Sequence, residues 1–197
     1  MATKTADPLS RLESAREPLF LIGGILVVCF GVVLGLRAFA GFAYPQVGAL
    51  LAGVGGALAF LGLLGFYPEL SSDQDWLAVG GGVAAVIGAV GFAIVAIASA
   101  ASLLGVAVQG LFTAQQAANL LVLIGMLPGF GLFAAAAYFS GREETGGRLA
   151  APAIAFGLVF VTGIAGLTAP ALSAVLGTIH GLSYLVVWHG LRSPASR

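Results

Sequence analysis

The chain has 197 residues, of which 59% are hydrophobic and only 8% charged, with a mean hydropathy of +1.06. A soluble domain carries roughly 25% charged residues, so a water-exposed fold is excluded by the apolar patches it would display. Eight basic residues balance eight acidic ones, leaving no net field to draw nucleic acid, and one cysteine rules out an intramolecular disulfide or a multi-cysteine metal site.

Charges fall in short clusters that cut the chain into apolar blocks. Residues 1–17 form a polar leader, with Asp7-Pro8 as a start signal and Ser10 and Glu13 at capping-box spacing. The leader reads as a cytoplasmic, solvated helical extension of the first span. That span covers 18–36, with Pro18 in its first turn and Arg37 at its end. Its apolar run is longer than the 7–15 residues of a signal h-region, so it reads as a retained span. The second span covers 47–67 and meets Pro68-Glu69. The acidic stretch Glu69 to Asp75 does not have EF-hand spacing and reads as a solvated turn.

The third span is expected over 76–104, started by Ser72 and Asp75, with no charge to mark its exit between Ser99 and Thr113. Thr113 and Gln116 give the same capping spacing before a fourth span at 114–139. Past Arg142-Glu143-Glu144, a fifth span covers 149–167 and a sixth 170–191, opened by Pro170, before a tail at 192–197. Most blocks hold 18–26 residues, enough to cross about 30 Å of hydrocarbon. Lipid offers the backbone no partners, and the polar alternation of a barrel is missing, so the expected fold is all-α. It is a single polytopic membrane domain, a bundle of about six transmembrane helices.

With six spans both termini share one side. Placing them in the cytoplasm collects Lys4, Arg11, Arg16, Arg142, Arg148, Arg192 and Arg197 there and leaves Arg37 outside, so the basic residues predict N-in, C-in in a cell membrane. Trp76, Tyr67, Tyr138 and Trp188 then mark the inner boundary, with Tyr44 as the outer counterpart. The thirty glycines fit close helix packing in lipid. Gly31 and Gly35, and Gly177 and Gly181, have GxxxG spacing, which serves either a dimer seam or packing within one chain. Leu21-Ile22-Gly23 and Leu123-Ile124-Gly125 share an offset with Pro68-x-Leu70-Ser71 and Pro170-x-Leu172-Ser173, a faint echo that fits either an inverted repeat or, since identity along the rest of the alignment is near the chance level for Ala, Gly, Leu and Val, no duplication at all.

The polar chemistry concentrates in the sixth span. Ser173, Gly177, His180, Tyr184 and Trp188 are spaced for one helical face. His180 lies eight residues from Trp188, about 12 Å inward, and an ionisable group at that depth is a functional candidate. The alternative is a neutral histidine bonded to Ser173, Tyr184 or a carbonyl. His189 is on the opposite face and about 13 Å away along the axis, so the two histidines cannot clamp one haem. Gly125, Pro128 and Gly129 predict a kink or break in the fourth span, which in transporters exposes backbone to substrate. Gln115, Gln116 and Asn119 precede it as vestibule or capping groups. Cys29 reads as an inert apolar residue and Arg37 as an interfacial snorkeller.

No P-loop, HExxH or GxSxG occurs, and no span carries an Asp, Glu or Lys at its centre. No catalytic residue, cofactor or metal is therefore called for. The expected partners are the lipid bilayer and either a second copy or a membrane complex. The first functional reading is an accessory subunit or packing scaffold without catalytic chemistry. The alternative is a small transporter or channel for a neutral or weakly polar solute, using the stripe on the last span. A membrane enzyme or redox protein comes third, because it would need a bound cofactor.

Overall fold

The computed structural model describes residues 8–42, 45–106, 110–164 and 169–192, and among them every regular element is a helix. Helix α1 is Pro8–Ala40, α2 is Pro45–Leu64, α3 is the single turn Tyr67–Ser71, α4 is Asp75–Leu103, α5 is Leu111–Phe139, α6 is Glu143–Ile164 and α7 is Pro170–Arg192. Six of these are long and apolar enough to cross a membrane. Tyr44, Lys4, Asp7, Arg197 and residues 165–167 of the fifth span lie outside the described residues.

Several boundaries move for physical reasons. The leader and first span are one helix of 33 residues, with Pro18 in its interior rather than at its start. The leader is held there because Arg16 reaches Glu69 of α3 and a β-carbon at Gly65 would lie 2.6 Å from the Leu12 carbonyl. The Ser72/Asp75 signal does not cap α4, whose N-cap is Gln74 without a side-chain bond; the Ser72 hydroxyl instead donates back to the Glu69 carbonyl, 3.1 Å away. Thr113 falls inside the first turn of α5, which follows Gly110. Helix α6 begins at Glu143, six residues ahead of 149, and its first turn holds Glu143 and Glu144, which oppose the positive end of its dipole. The turn into it is made by Gly141 at φ +73°, a conformation that favours glycine.

The six long helices close a ring in chain order: α1 packs on α2, α2 on α4, α4 on α5, α5 on α6, α6 on α7, and α7 returns to α1. This ring is incompatible with an inverted repeat. Relating each span to the one three places on would preserve order around the ring while reversing helix direction. That is an improper rotation, which a chain of L-residues cannot have. The contacts agree: Gly23 packs on Gly55 of α2, but its counterpart Gly125 packs on Gly88 of α4 rather than on α6.

Glycine makes the seams. A β-carbon at Gly31 would sit 2.8 Å from the Thr178 Cα, one at Gly177 3.4 Å from the Gly31 Cα, and one at Gly181 2.8 Å from Val27. The two GxxxG pairs thus face each other across the α1–α7 seam of a single chain. Aromatic rings fill the axis. Phe130 of α5 lies 6.4 Å from Phe20 of α1, 5.4 Å from Phe60 of α2 and 5.8 Å from Tyr184 of α7, between ring centroids. Phe92 of α4 joins through Phe60 at 5.7 Å. Tilted and edge-on pairs of this kind add about 0.5–1.5 kcal/mol each beyond their burial.

One end of the ring carries nearly all the charge. Glu69 accepts from Arg16 at 2.6 Å through one oxygen and from Arg142 at 2.5 Å through the other; Arg142 also approaches Asp73 at 3.9 Å. Arg148 pairs with Glu144 one turn away, and Arg192 with Glu17 at 3.3 Å. The acidic stretch expected to be a solvated turn is therefore partly drawn into an ion-paired collar. Trp76 and Tyr138 point outward at this end, as an interfacial belt requires, whereas Tyr67 and Trp188 pack partly inward. Arg37 lies at the opposite end of α1.

Candidate functional site

Helix α7 holds the candidate residues because its GxxxG face lets it approach α1 closely, which turns the next face into the ring. His180 and Tyr184, one turn apart, both point there; His180 is 7% exposed and Tyr184 fully buried. Their ring centroids are 4.8 Å apart, and Phe156 of α6 closes the other side of the imidazole at 5.7 Å. The Tyr184 hydroxyl donates to the Met126 thioether of α5, 3.4 Å away. The Ser183 hydroxyl donates to the His180 carbonyl at 2.6 Å.

His180 does not make the bond that a purely structural histidine was expected to make. Its Nδ1 is buried without a hydrogen-bond partner, and Ser173 donates instead to the Ala169 carbonyl at 3.5 Å near the opposite end of the helix. Among the described residues the only other buried side-chain nitrogen or oxygen without a partner is Trp188 Nε1, also on α7. The Trp188 ring lies beneath the Arg192 guanidinium, 5.4 Å from its centroid, at the charged end. The structure thus joins His180 to Tyr184 and leaves Ser173 and Trp188 apart from them. Met126, Phe156 and Ser183 complete the cluster. An apolar methionine on another helix gives no sequence signal of this kind.

Of the kink or break expected at Pro128, the break does not form. Helix α5 is continuous from Leu111 to Phe139, with Pro128 exposed on its outer face. Only one amide is withheld there, and the rest of the ladder carries the helix past it. Gly125 and Gly129 are buried on the other side, against Gly88 and Ala85 of α4. They are packing residues, and no backbone is opened toward the axis.

Surface cavities include three formed by the described residues. One of about 490 Å³ is an apolar groove between α1 and α7, floored by Gly31, Gly35 and Ala174; another of about 410 Å³ lies outside α2 and α4, beside Tyr67 and Gly82. The third, about 30 Å³, is a polar crevice at the charged end. None of the three is lined by His180 or Tyr184. His189 is exposed, and among the described residues no three His, Cys, Asp or Glu side chains are grouped to hold a metal ion. No known protein family, curated protein or solved structure matches the chain.

The cluster is therefore an imidazole and a phenol packed among aromatic rings. Its Nδ1 is buried without a partner, with the Phe156 and Tyr184 rings on either side of the imidazole.

Proposed function

We propose that this integral membrane protein is a non-catalytic subunit or packing scaffold of a membrane complex, with both termini in the cytoplasm. The observation that carries the reading is the filled axis. Phe20, Phe60, Phe130 and Tyr184 meet at its centre, and aromatic side chains locked together in this way support a rigid body rather than a conduit. The outward faces of the ring are apolar, with Val83, Ile97, Ile154 and Val161 all exposed, a surface suited to lipid and to further helices.

The experiment is reconstitution of the purified protein into liposomes, with flux of glycerol and urea measured against protein-free vesicles. The scaffold reading expects equal rates. Flux above background, lost on His180→Leu, establishes the second reading, a transporter for a neutral solute, which the unpartnered His180 Nδ1 favours. For orientation, cysteine placed at the exposed Ser72, in a Cys29→Ala background, is expected to react in inverted but not in right-side-out vesicles. The reverse pattern overturns the cytoplasmic assignment.

A further inference from the structure

The charged end holds a feature that neither the scaffold nor the transporter reading uses. The crevice of about 30 Å³ is lined by Arg16 of α1, Glu69 of α3, Thr145 and Arg148 of α6, and Gly190 of α7. Its size is about twice what one water molecule needs, enough for one tetrahedral oxyanion. Both guanidinium groups are largely withdrawn from solvent, with side chains 21% and 23% exposed.

Charge accounting leaves the crevice cationic. The two oxygens of Glu69 are each taken by a different guanidinium, Arg16 and Arg142. Arg148 has for a partner only Glu144, whose side chain is 71% exposed and turned to solvent. Within the lining itself two guanidinium groups, Arg16 and Arg148, meet one carboxylate, Glu69, while Glu144 and Asp73 pair with Arg148 and Arg142 from outside it. Arg148 is also positioned rather than loose. It lies flat against α7 where Gly190 has no side chain, and a β-carbon there would stand 2.7 Å from the guanidinium carbon. The Arg16 guanidinium is fixed in turn over the Phe66 ring, 4.8 Å from its centroid. Thr145, in the first turn of α6, brings a hydroxyl and the positive end of the helix dipole to the same opening.

Planar guanidinium forks held in place by glycine and aromatic supports match the oxygens of a phosphoryl group. The geometry points to a binding site for a phosphoryl oxyanion between Arg16 and Arg148. The group comes from the headgroup of an anionic phospholipid or from phosphate in solution; the end of the ring lies where a bilayer places its headgroups, so both reach it.

The test has two arms on the full-length protein. In the first, inorganic phosphate is titrated into delipidated protein in neutral detergent at constant ionic strength, with thermal unfolding as the readout and chloride as control. In the second, protein from nanodiscs of phosphatidic acid or of phosphatidylcholine is examined by native mass spectrometry for retained lipid. Saturable stabilisation by phosphate assigns the site to a soluble ion, and selective retention of phosphatidic acid assigns it to the headgroup; either supports the proposal. Arg148→Gln is expected to weaken binding about tenfold, the scale of one charge-assisted bond. Gly190→Ala, which keeps every charge but displaces the guanidinium, is expected to weaken it as well and serves where Arg148→Gln fails to fold. Absence of both effects in the unaltered protein, or equal binding by unaltered protein and Gly190→Ala, overturns the assignment.

Discussion

The Tyr184 hydroxyl of α7 donates to the Met126 thioether of α5 across 3.4 Å, although α6 stands between these two helices in the ring. The bond crosses the interior and ties two helices that are not neighbours in the ring. Its two ends are not equivalent. A thioether is comfortable without a donor, whereas a buried hydroxyl without an acceptor costs about 1–3 kcal/mol.

The asymmetry predicts an unusual order of mutational effects. Tyr184→Phe should lower stability by less than about 1 kcal/mol. Met126→Leu, although close in volume, should cost more because it strands the hydroxyl, and the double variant should recover most of that loss. Thermal unfolding in detergent measures all three. If Met126→Leu is the milder single change, the hydroxyl is not bonded to sulfur.

Gly88 and Gly125 form the tightest point of the α4–α5 seam: a β-carbon on Gly125 would lie 2.6 Å from the Gly88 nitrogen. Gly131, six residues further along α5, has nothing within 4 Å of where its β-carbon would be. The same substitution should therefore have opposite signs on one helix. Gly125→Ala is expected to force the backbones apart at a cost of about 1–3 kcal/mol. Gly131→Ala should be neutral or stabilising by up to about 1 kcal/mol through helix propensity. Equal melting temperatures for the two variants would show that this seam is looser than described.

At the charged end, Glu69 and Glu144 predict a second contrast. Glu69 joins α3 to Arg16 and Arg142, partners 53 and 73 residues away in the chain, while Glu144 pairs within its own helix from an exposed position. Exposed pairs within a helix contribute about 0.3–0.5 kcal/mol. Glu144→Gln should thus stay within about 0.5 kcal/mol of the unaltered protein. Glu69→Gln should cost roughly 1–2 kcal/mol, because one guanidinium group loses its acceptor and the other keeps only an uncharged one. The difference should narrow in 1 M salt, where screening shortens to about 3 Å. A difference unmoved by salt would assign the effect to packing of Leu70 instead.

How much of this is legible in the sequence depends on the range of each interaction. Hydropathy is local, so six membrane-crossing helices and the charged clusters between them are readable from composition along the chain. That His180 and Tyr184 share one face of the last helix comes from helical spacing alone. Partnerships between distant segments are not written in any one segment. The acidic stretch around Glu69 looks like a solvated turn until Arg16 and Arg142 are brought to it, and Met126 looks like any core residue. Pro128 misleads for a related reason. Proline breaks a helix only where neighbours cannot accommodate the lost bond, and which face it occupies depends on Gly125 and Gly129 finding α4. The chain-order ring, which removes the apparent repeat, is likewise a property of all the seams together.

His180 supplies the sharpest distinction between a structural and a functional interior. Its Nδ1 is buried with no partner, and an unbonded polar group moved out of water costs about 1–3 kcal/mol on mutational scales. A side chain kept only for packing should therefore be improved upon by an apolar one of similar size. His180→Leu is expected to melt at or above the temperature of the unaltered protein, since Phe156 and Tyr184 already surround the ring with apolar contacts. His180→Ala, by contrast, leaves a cavity and should lose about 2 kcal/mol or more. Both variants are read by thermal unfolding, alongside the liposome flux assay. A stable His180→Leu without change in flux makes the imidazole dispensable to the fold and supports the scaffold. A marked loss of stability in His180→Leu would mean that Nδ1 has a bound partner in the membrane, and the interior would then have to be regarded as a site.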